Sequence, residues 1–304
     1  MAKKAIAIAS RMDSEGALKL AKKTFEYLIK QGEVVYLETR IAPKIFPHNG
    51  MDLGKMKSSD FKFIISFGGD GSILRVAQGL THPNSPPILG VNIGSVGFLD
   101  ESTDKTIFKD IKKLLNEDYI VEECSQIIPY LINKEGKELR LNKALNEVLV
   151  VSSKHSKVLQ ISVKVNGIFL NRSYLDGIII STAIGSTAYN LSAGGAIVCP
   201  QLNIMQITPL NSYAQSGLKP LILPLDSEVE IKLLRPRLNG KIVIDGQEII
   251  RDINPNSRII IRGAKSSVKF IRFAENGPQS SYFTRLRKKI IGTVNVPLDD
   301  SPEE

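Results

Sequence analysis

Residues 61–72 read FKFIISFGGDGS, and this stretch decides the fold of the first part of the chain. Its first half, Phe61–Phe67, is almost entirely apolar, which is typical of a strand buried on both faces of a parallel sheet. Three glycines then permit a tight turn, and the residues from Ser72 to about Gln78 have helical character. The stretch therefore predicts a strand, a glycine turn and a helix in direct succession.

The neighbouring segments repeat this alternation of strand and helix. Short apolar runs predict strands at Ala5–Ala9, Val34–Leu37 and Pro87–Val91. Apolar residues at helical spacing predict one helix after Ser14 and another that carries Ile107, Ile111 and Leu114. Apolar strands that alternate with helices indicate a parallel sheet covered on both faces.

The pattern changes beyond about Tyr119, where short β-branched segments follow one another. Asn166-Gly167 and Asp245-Gly246 are two-residue turn signals that favour hairpins. One helical island is predicted around Ser186–Ala193, a helix is predicted at Tyr282–Ile291, and the last residues (LDDSPEE) are expected to fray. The predicted strands are Ile127–Ile132, Ala144–Val151, Gln160–Val165, Ile178–Ser181, Ile222–Leu225, Val229–Leu233, Lys241–Ile244, Arg258–Ile261 and Val268–Arg272. So many short strands predict an all-β, sandwich-like module.

Composition limits the class of protein and of partner. The chain has 304 residues and a net charge of +9, from 40 basic against 31 acidic residues. Cys124 and Cys199 are too few for a disulfide framework, and no apolar run is long enough to cross a membrane, so we expect a soluble, cytoplasmic protein. The basic residues are spread along the chain, which argues against nucleic acid and membrane partners. The one dense basic run is Arg285, Arg287, Lys288 and Lys289, for which a solvated helix face is the simplest interpretation.

The glycine turn GGDGS (68–72) is a candidate phosphate site. It lies at the carboxyl end of a predicted strand and directly before a helix N-terminus, where free N–H groups attract anions. It lacks the lysine of the common phosphate loop, and Asp70 places a negative charge among the glycines. That carboxylate suggests a bound metal or a chemical role, although a helix cap is the simpler alternative. Arg75, one turn into the helix, would add positive charge for a phosphate.

Further polar spots interrupt apolar strands elsewhere in the chain. A second glycine loop, NIGSVGF (92–98), follows the next strand and suggests a crevice shared with GGDGS. Asn146-Glu147 and Asp176 could bind a nucleoside, because an Asn amide pairs with an adenine edge and a carboxylate accepts from ribose hydroxyls. The small and hydroxyl residues of 182–195 (TAIGSTAYNLSAGG) could serve the same ligand. A strand-end turn and a close-packed capped helix remain the structural alternatives for these spots.

In this order, and over most of the chain, these pieces resemble the ATP–NAD kinase family. The pieces that carry the resemblance are GGDGS (68–72), NIGSVGFL (92–99), NE (146–147), DGIIISTAIGSTAYNLSAGGAI (176–197) and DGQ (245–247). GGDG[ST] alone is shared with phosphofructokinases and lipid kinases, whereas the 181–195 pattern is far more specific. The resemblance implies an α/β, Rossmann-like N-terminal domain (1–120, with the tail 283–304 returning to it) and an all-β, sandwich-like C-terminal domain (121–282).

The resemblance also implies an activity and a set of site residues. The family transfers the γ-phosphoryl group of ATP to the adenosine 2′-hydroxyl of NAD, with Mg²⁺ or another divalent cation, as a homodimer or homotetramer. Asp70 would be the general base. No metal ligand is assigned. The residues expected to bind substrate are Gly68, Gly69, Gly71, Arg75, Phe98, Asn146, Glu147, Asp176, Thr187, Ala188, Tyr189, Ser192 and Gln247.

The sequence departs from the family pattern at two places. Ala183 and Ile184 stand where a Pro and a Thr are usual, and Tyr174 stands where some members carry Arg. The second departure leaves the choice between oxidised and reduced dinucleotide open, and the donor is left open between ATP and polyphosphate.

Two other hypotheses for the function remain. One is a phosphofructokinase-like or lipid-kinase-like enzyme with another acceptor, and the other is a dinucleotide-binding regulator that contacts nucleic acid.

Overall fold

The structure is a computed structural model that describes residues 3–94, 97–154, 157–213, 217–235, 238–255, 257–273 and 278–291. The chain divides into two compact units. The first comprises residues 1–73, 86–122 and 270–304, and the second comprises residues 74–85 and 123–269.

The secondary structure alternates early in the chain and is strand-rich later. The helices are α1 (Glu15–Lys30), α2 (Ala42–Ile45), α3 (Asp70–Gly79), α4 (Ile107–Leu115), α5 (Tyr189–Ser192) and α6 (Pro278–Leu286), with 3₁₀ turns at Pro47–Asn49, Leu53–Lys55 and Ile184–Thr187 and a π-helical turn at Arg287–Ile291. The strands are β1 (Ala5–Ser10), β2 (Val35–Glu38), β3 (Gly50–Met51), β4 (Phe61–Gly68), β5 (Ile88–Asn92), β6 (Ser102–Thr103), β7 (Ile120–Cys124), β8 (Ile127–Ile132), β9 (Glu138–Arg140), β10 (Glu147–Ser152), β11 (Leu159–Val165), β12 (Ile168–Leu175), β13 (Gly177–Thr182), β14 (Ile204–Leu210), β15 (Leu221–Pro224), β16 (Glu228–Leu233), β17 (Gly240–Ile244), β18 (Glu248–Ile253), β19 (Arg258–Gly263) and β20 (Val268–Arg272).

The first unit is built on a sheet that, within the described ranges, has eight strands in the order β3-β2-β1-β4-β5-β20-β7, with β6 paired to β5. The pairs from β3 through β20 are parallel. Every residue of β1 and β5 is buried, as a strand covered on both faces requires. Helices α1 and α4 supply Leu28 and Ile111 to its core. The predicted α/β domain is therefore confirmed.

The second unit consists of two antiparallel sheets. Their strand orders are β15-β14-β13-β10-β17-β18 and β12-β11-β16-β19-β8-β9. One hydrophobic cluster includes residues of both sheets, among them Val150 and Ile180 from the first and Ile161 and Ile231 from the second. Alternating residues such as those of β11 are buried, which is the pattern of a sheet that packs on one face. The predicted all-β domain is confirmed.

The two turn signals form hairpins. Asn166 and Gly167 have φ angles of 51° and 77° and join β11 to β12, and Asp245 and Gly246 have φ angles of 49° and 66° and join β17 to β18. Positive φ at both central residues matches the twist of the flanking strands. Asp245 therefore stands in a conformation that few residue types other than Asp, Asn and Gly adopt easily.

The structure differs from the sequence expectations in several elements. β20, expected with the β-rich half, pairs in parallel through Phe270 with Ile88 of the first sheet, and residues 74–85 group with the second unit. Strand pairing across such a separation leaves no local pattern in the sequence. β12 and β18 follow the predicted turns but were not predicted as strands, because their apolar and polar residues do not alternate regularly. β7, β9 and β14 were not predicted either. Residues 292–304, expected to fray, lie outside the described residues.

Candidate active site

Asp70 is the first residue of α3 and lies at the carboxyl end of β4. Its carboxylate accepts two backbone hydrogen bonds, Oδ2 from the N–H of Phe98 at 2.9 Å and Oδ1 from the N–H of Leu99 at 3.0 Å. The side chain is 29% exposed. The carboxylate is thus fixed in direction by a neighbouring loop while it remains open to a ligand.

Glycine at position 97 makes this arrangement possible. A Cβ atom on Gly97 would collide with the Asp70 carboxylate and would lie 2.8 Å from Asp100 Oδ2. Gly68 has φ of 148°, and a Cβ there would collide with Ser72. By contrast, a Cβ on Gly69 meets nothing within 4 Å. The two glycine loops predicted to share a crevice therefore do meet, through Asp70.

Asp100 is a second carboxylate beside this loop, and the sequence did not single it out. Its Oδ2 accepts a hydrogen bond from the Gly97 N–H at 2.8 Å, and the residue is buried. Burial raises the pKa of Asp100; the hydrogen bond from Gly97 lowers it and the charge of Asp70 raises it further. The 97–100 turn is thus held by two carboxylates, one of them the predicted base.

A buried ion-pair cluster fixes the same segment from the other side. Arg272, at the end of β20 and almost completely buried, donates from Nη1 to the Leu99 carbonyl at 3.0 Å and from Nε to Glu122 at 2.7 Å. Arg285 of α6 donates to Glu101 Oε2 at 2.8 Å. The only sequence signal for Arg272 was a charged residue that directly follows the apolar pair Phe270-Ile271 at the end of a predicted strand.

The C-terminal basic run also reaches Asp70. Lys289 Nζ lies 3.4 Å from Asp70 Oδ2 and 4.5 Å from the centroid of the Phe98 ring. Arg287 is exposed, and the side chain of Lys288 lies outside the described residues. The expected solvated helix face is therefore wrong for the buried Arg285, whereas Lys289 is exposed and also pairs with Asp70.

In the second unit, Asp245 fixes the Asn146-Glu147 pair. Its carboxylate accepts hydrogen bonds from the N–H groups of Leu145, Asn146 and Glu147 at 2.9, 2.8 and 3.1 Å, and from Gln78 Nε2 at 3.2 Å. Burial raises the pKa of Asp245, and these hydrogen bonds lower it. Within the DGQ motif (245–247), the sequence had pointed to Gln247 alone as a site residue.

Glu147 carries the most perturbed carboxyl group of this site. Its pKa is raised to about 8, chiefly by burial and also by the charge of the nearby Asp245, while a hydrogen bond from the Tyr189 backbone opposes this shift. Among the described residues, Glu147 Oε2 has no hydrogen-bond partner. A buried polar atom without a partner is costly, and a bound ligand is one group that can supply the missing hydrogen bond.

The Ser/Thr/Gly stretch packs directly onto this pair. Thr182 donates from its N–H to the Asn146 carbonyl at 2.9 Å, and a Cβ on Gly185 would collide with the Asn146 backbone. The 3₁₀ turn and α5 then place Thr187 and Ala188 half-buried and Tyr189 and Ser192 exposed. Asn190 is instead a core residue, which accepts from Thr208 Oγ1 at 2.6 Å.

Asp176 is not brought to the Asn146-Glu147 pair within this chain. Ser181 pairs with Glu147 and Gly177 with Val151, so Asp176 lies at the other end of β13, roughly 17 Å away at about 3.4 Å per residue. It is exposed and accepts from Asn211 Nδ2 at 2.9 Å. Gln247 is exposed in the hairpin turn next to Asp245, and Arg75 is half-buried on α3.

Family models match both parts of the chain. The ATP-NAD kinase N-terminal domain matches residues 6–119, and the ATP-NAD kinase C-terminal domain matches residues 145–273. The chain belongs to the ATP–NAD kinase family. Its curated relatives include the NAD kinases of Methanopyrus kandleri, 33% identical over 288 residues that cover 94% of this chain and 97% of the relative, and of Thermococcus gammatolerans, 34% identical over 283 residues that cover 93% and 98%.

Solved structures of ATP–NAD kinases share the fold. Yeast NADH kinase, crystallised with NADH, superposes with a TM-score of 0.82 at 21% identity and covers 99% of this chain and 89% of its own. An NAD kinase from Archaeoglobus fulgidus in complex with ATP has a TM-score of 0.71 at 26% identity, with 93% and 98% covered. Both similarities extend over nearly the whole chain.

Proposed function

We propose that this chain is an NAD kinase that transfers the γ-phosphoryl group of ATP to the adenosine 2′-hydroxyl of NAD. Family membership supports the activity, since the curated relatives named above are NAD kinases. The observation that carries the mechanism is the Asp70 carboxylate, held by two backbone N–H groups at the end of β4 and at the start of a helix.

Asp70 is the general base in this proposal. The 2′-oxygen forms a bond to the γ-phosphorus while the bond from that phosphorus to the β,γ-bridging oxygen breaks, ADP leaves, and the hydroxyl proton passes to Asp70. The nucleophile of a loose phosphoryl transfer loses its proton late, so a weak but fixed base is sufficient. A positioned base typically contributes about 10²–10⁴-fold to the rate.

The donor phosphates bind at the glycine turn in this proposal. Gly68, Gly69 and Gly71 allow close approach, and the N-terminus of α3 presents N–H groups to the anion. Arg75 of the same helix adds a positive charge. ATP and polyphosphate offer the same phosphate chain to these groups, and the experiment below separates them.

The dinucleotide binds through the Asn146-Glu147 pair in this proposal. A ribose hydroxyl would supply the partner that Glu147 Oε2 lacks among the described residues. With a pKa near 8, Glu147 is largely protonated at neutral pH and can both donate and accept there. The surrounding turns carry Thr187, Ala188, Tyr189, Ser192 and Gln247. Phe98 would offer its ring to a nucleoside. Asp176 would act on the dinucleotide of another subunit in an oligomer.

Mg²⁺ would supply charge neutralisation on the donor phosphates when it is bound. In the part of the chain that the structure describes, no group of three or more His, Cys, Asp or Glu side chains is arranged to hold a metal. Phosphate oxygens and water would hold most of this cation, which is how Mg²⁺ commonly binds.

Assembly and location are also proposed. β12 is an edge strand of its sheet and exposes Ile168 and Phe169, at 74% and 60%, which supports a homodimer or homotetramer. Free Cys124 and Cys199 support a reducing, cytoplasmic location. No described helix is long and apolar enough to cross a membrane.

One assay tests the proposed function. The protein is mixed with Mg²⁺ and NAD or NADH, and with ATP or polyphosphate, and NADP or NADPH is measured. We expect NADP from NAD and ATP, and a turnover reduced by about 10²-fold or more in Asp70→Asn, with NAD binding retained. Wild-type turnover in Asp70→Asn would remove Asp70 from the mechanism, and absence of any phosphorylated dinucleotide would refute the function. Fructose 6-phosphate and diacylglycerol serve as control acceptors.

A further inference from the structure

The C-terminal basic run contributes a cation to the reacting position. Lys289 follows α6 in the π-helical turn Arg287–Ile291, and its ammonium group lies 3.4 Å from the carboxylate proposed as the base. Neither the family motifs nor the sequence interpretation gave this residue a role. Its position next to Asp70 requires an explanation.

Lys289 is held on more than one side. Its ammonium group lies over the Phe98 ring, 4.5 Å from the centroid, and the N–H of the same Phe98 donates to Asp70. A cation over an aromatic face is attracted by the ring quadrupole. The lysine is 38% exposed, so a ligand that reaches Asp70 can also reach Lys289.

The polypeptide that carries Lys289 is anchored in the protein. Arg285, four residues earlier and therefore close to the same face of the helix, is buried and donates to Glu101 Oε2 at 2.8 Å. Glu101 Oε1 also accepts from the N–H of Phe273 at 3.1 Å, at the end of β20. π-helical turns are rare and occur frequently at functional sites. These contacts hold the segment that carries Lys289 in place, which distinguishes the Lys289–Asp70 pair from an isolated surface ion pair.

We propose that Lys289 is a further catalytic residue, which binds the phosphoryl group during its transfer. This inference rests on the proposed function. The hydroxyl that gives its proton to Asp70 must lie within about 2.6–3.2 Å of that carboxylate, and the phosphorus about 3–3.5 Å beyond it. The ammonium group of Lys289, on its flexible four-carbon stem, reaches the phosphoryl oxygens from its position beside Asp70. It shifts from the carboxylate to the phosphoryl group and neutralises charge there, and the proton still goes to Asp70.

Substitution at position 289 tests this role, with a matched control two residues away. Lys289→Ala should lower kcat by about 10²-fold, the size found when one group that stabilises transition-state charge is removed. KM for NAD and the thermal midpoint should remain those of the wild type, since the side chain is partly exposed. Lys289→Arg should retain most of the activity. Arg287→Ala removes an exposed cation from the same turn and should behave as the wild type.

Chemical rescue separates a direct role from a positional one. Added ethylammonium should raise the rate of Lys289→Ala and leave Asp70→Asn unchanged, because only the first variant lacks a cation at this place. Wild-type kcat in Lys289→Ala would overturn the proposal. So would a loss of activity that is restored neither by the Lys289→Arg substitution nor by added ethylammonium. In both cases NAD phosphorylation by the wild type would still support the proposed function. If the wild type formed no NADP, the proposed function and this inference would both fail.

Discussion

At the scale of single residues, the geometry of Asp70 depends on the absence of a side chain opposite it. The carboxylate lies where a Cβ of residue 97 would be, so the loop can donate to it only if residue 97 is glycine. The site therefore requires both a carboxylate at position 70 and a residue without a side chain at position 97. The position of a base is worth as much as its identity, because small displacements of reacting groups lower rates steeply.

Gly97→Ala tests this requirement. The new methyl group must displace Asp70 or Asp100, so we expect kcat to fall by about 10²-fold with NAD affinity retained. Gly16→Ala is the control, because a Cβ there lies 3.9 Å from Ser14 Oγ and meets nothing closer. Steady-state NADP formation and isothermal titration with NAD provide the two measurements. Full activity in Gly97→Ala would show that the loop moves away without harm to the site.

Glu147 predicts a dependence of stability on pH. Its pKa is about 8 in the folded protein, above the ordinary value of 4.5 for a glutamate side chain. The folded state therefore binds a proton that the unfolded state has lost, and the free energy of unfolding falls as the pH rises from about 4.5 to 8. Glu147→Gln abolishes this contribution and should be progressively more stable than the wild type over that interval. Each pKa unit corresponds to about 1.4 kcal/mol, so the gain should amount to a few kcal/mol at most.

Urea unfolding of the wild type and Glu147→Gln between pH 5 and 9 measures this effect. Glu26→Gln, which changes an exposed carboxylate of α1, is the control. Parallel stability curves for the wild type and Glu147→Gln would contradict the assignment.

At the scale of elements, β20 and α6 stabilise the loop that holds Asp70. Arg272 joins the Leu99 carbonyl to Glu122, and Arg285 joins α6 to Glu101. When one member of a buried ion pair is removed, the other is left as an uncompensated buried charge, which costs about 3–5 kcal/mol. An exposed pair costs far less to break, about 0–1 kcal/mol.

Two arginine-to-leucine substitutions compare these cases within one protein. Arg272→Leu should lose about 3–5 kcal/mol of unfolding free energy. Arg258→Leu breaks the pair with Glu230, where the arginine side chain is 46% exposed, and should lose less than about 1 kcal/mol. Urea denaturation of both variants measures the difference. Equal losses would show that the Arg272 cluster is not an energetic anchor of β20.

The elements also show what local sequence could and could not predict. The strand, glycine turn and helix at 61–79 were predicted because their signals lie within one short window, and so were the hairpins at Asn166 and Asp245. The contact of Lys289 with Asp70 joins residues 219 positions apart, and no periodicity encodes it. The Glu147 environment depends on Asp245, nearly a hundred residues away. Residue types were therefore predictable, whereas their buried partners were not.

At the scale of the whole molecule, the first compact unit is assembled from both ends of the sequence. Residues 1–73 and 86–122 are joined by residues from 270 onward. A chain that ends before Pro278 loses Arg285 and Lys289 together, so we expect NADP formation to fall at least as far as in Lys289→Ala. A chain that ends at Ile291 keeps every contact described above and should retain activity. Comparison of NADP formation by these two truncated chains measures the contribution of residues 278–291 to activity. Full activity in the chain without residues 278–304 would contradict this prediction.

The place of β20 in the first sheet has a consequence for biosynthesis. β20 lies between β5 and β7, although some 175 residues separate it in sequence from β5. During translation the N-terminal strands leave the ribosome long before their neighbour exists, so the sheet has an open position until the last tenth of the chain is made. Arg272, which fixes the loop around Asp70, arrives with that strand. An incomplete nascent chain therefore carries the glycine turn without Arg272, which holds the loop that orients the Asp70 carboxylate. We expect kinase activity only when synthesis is nearly complete.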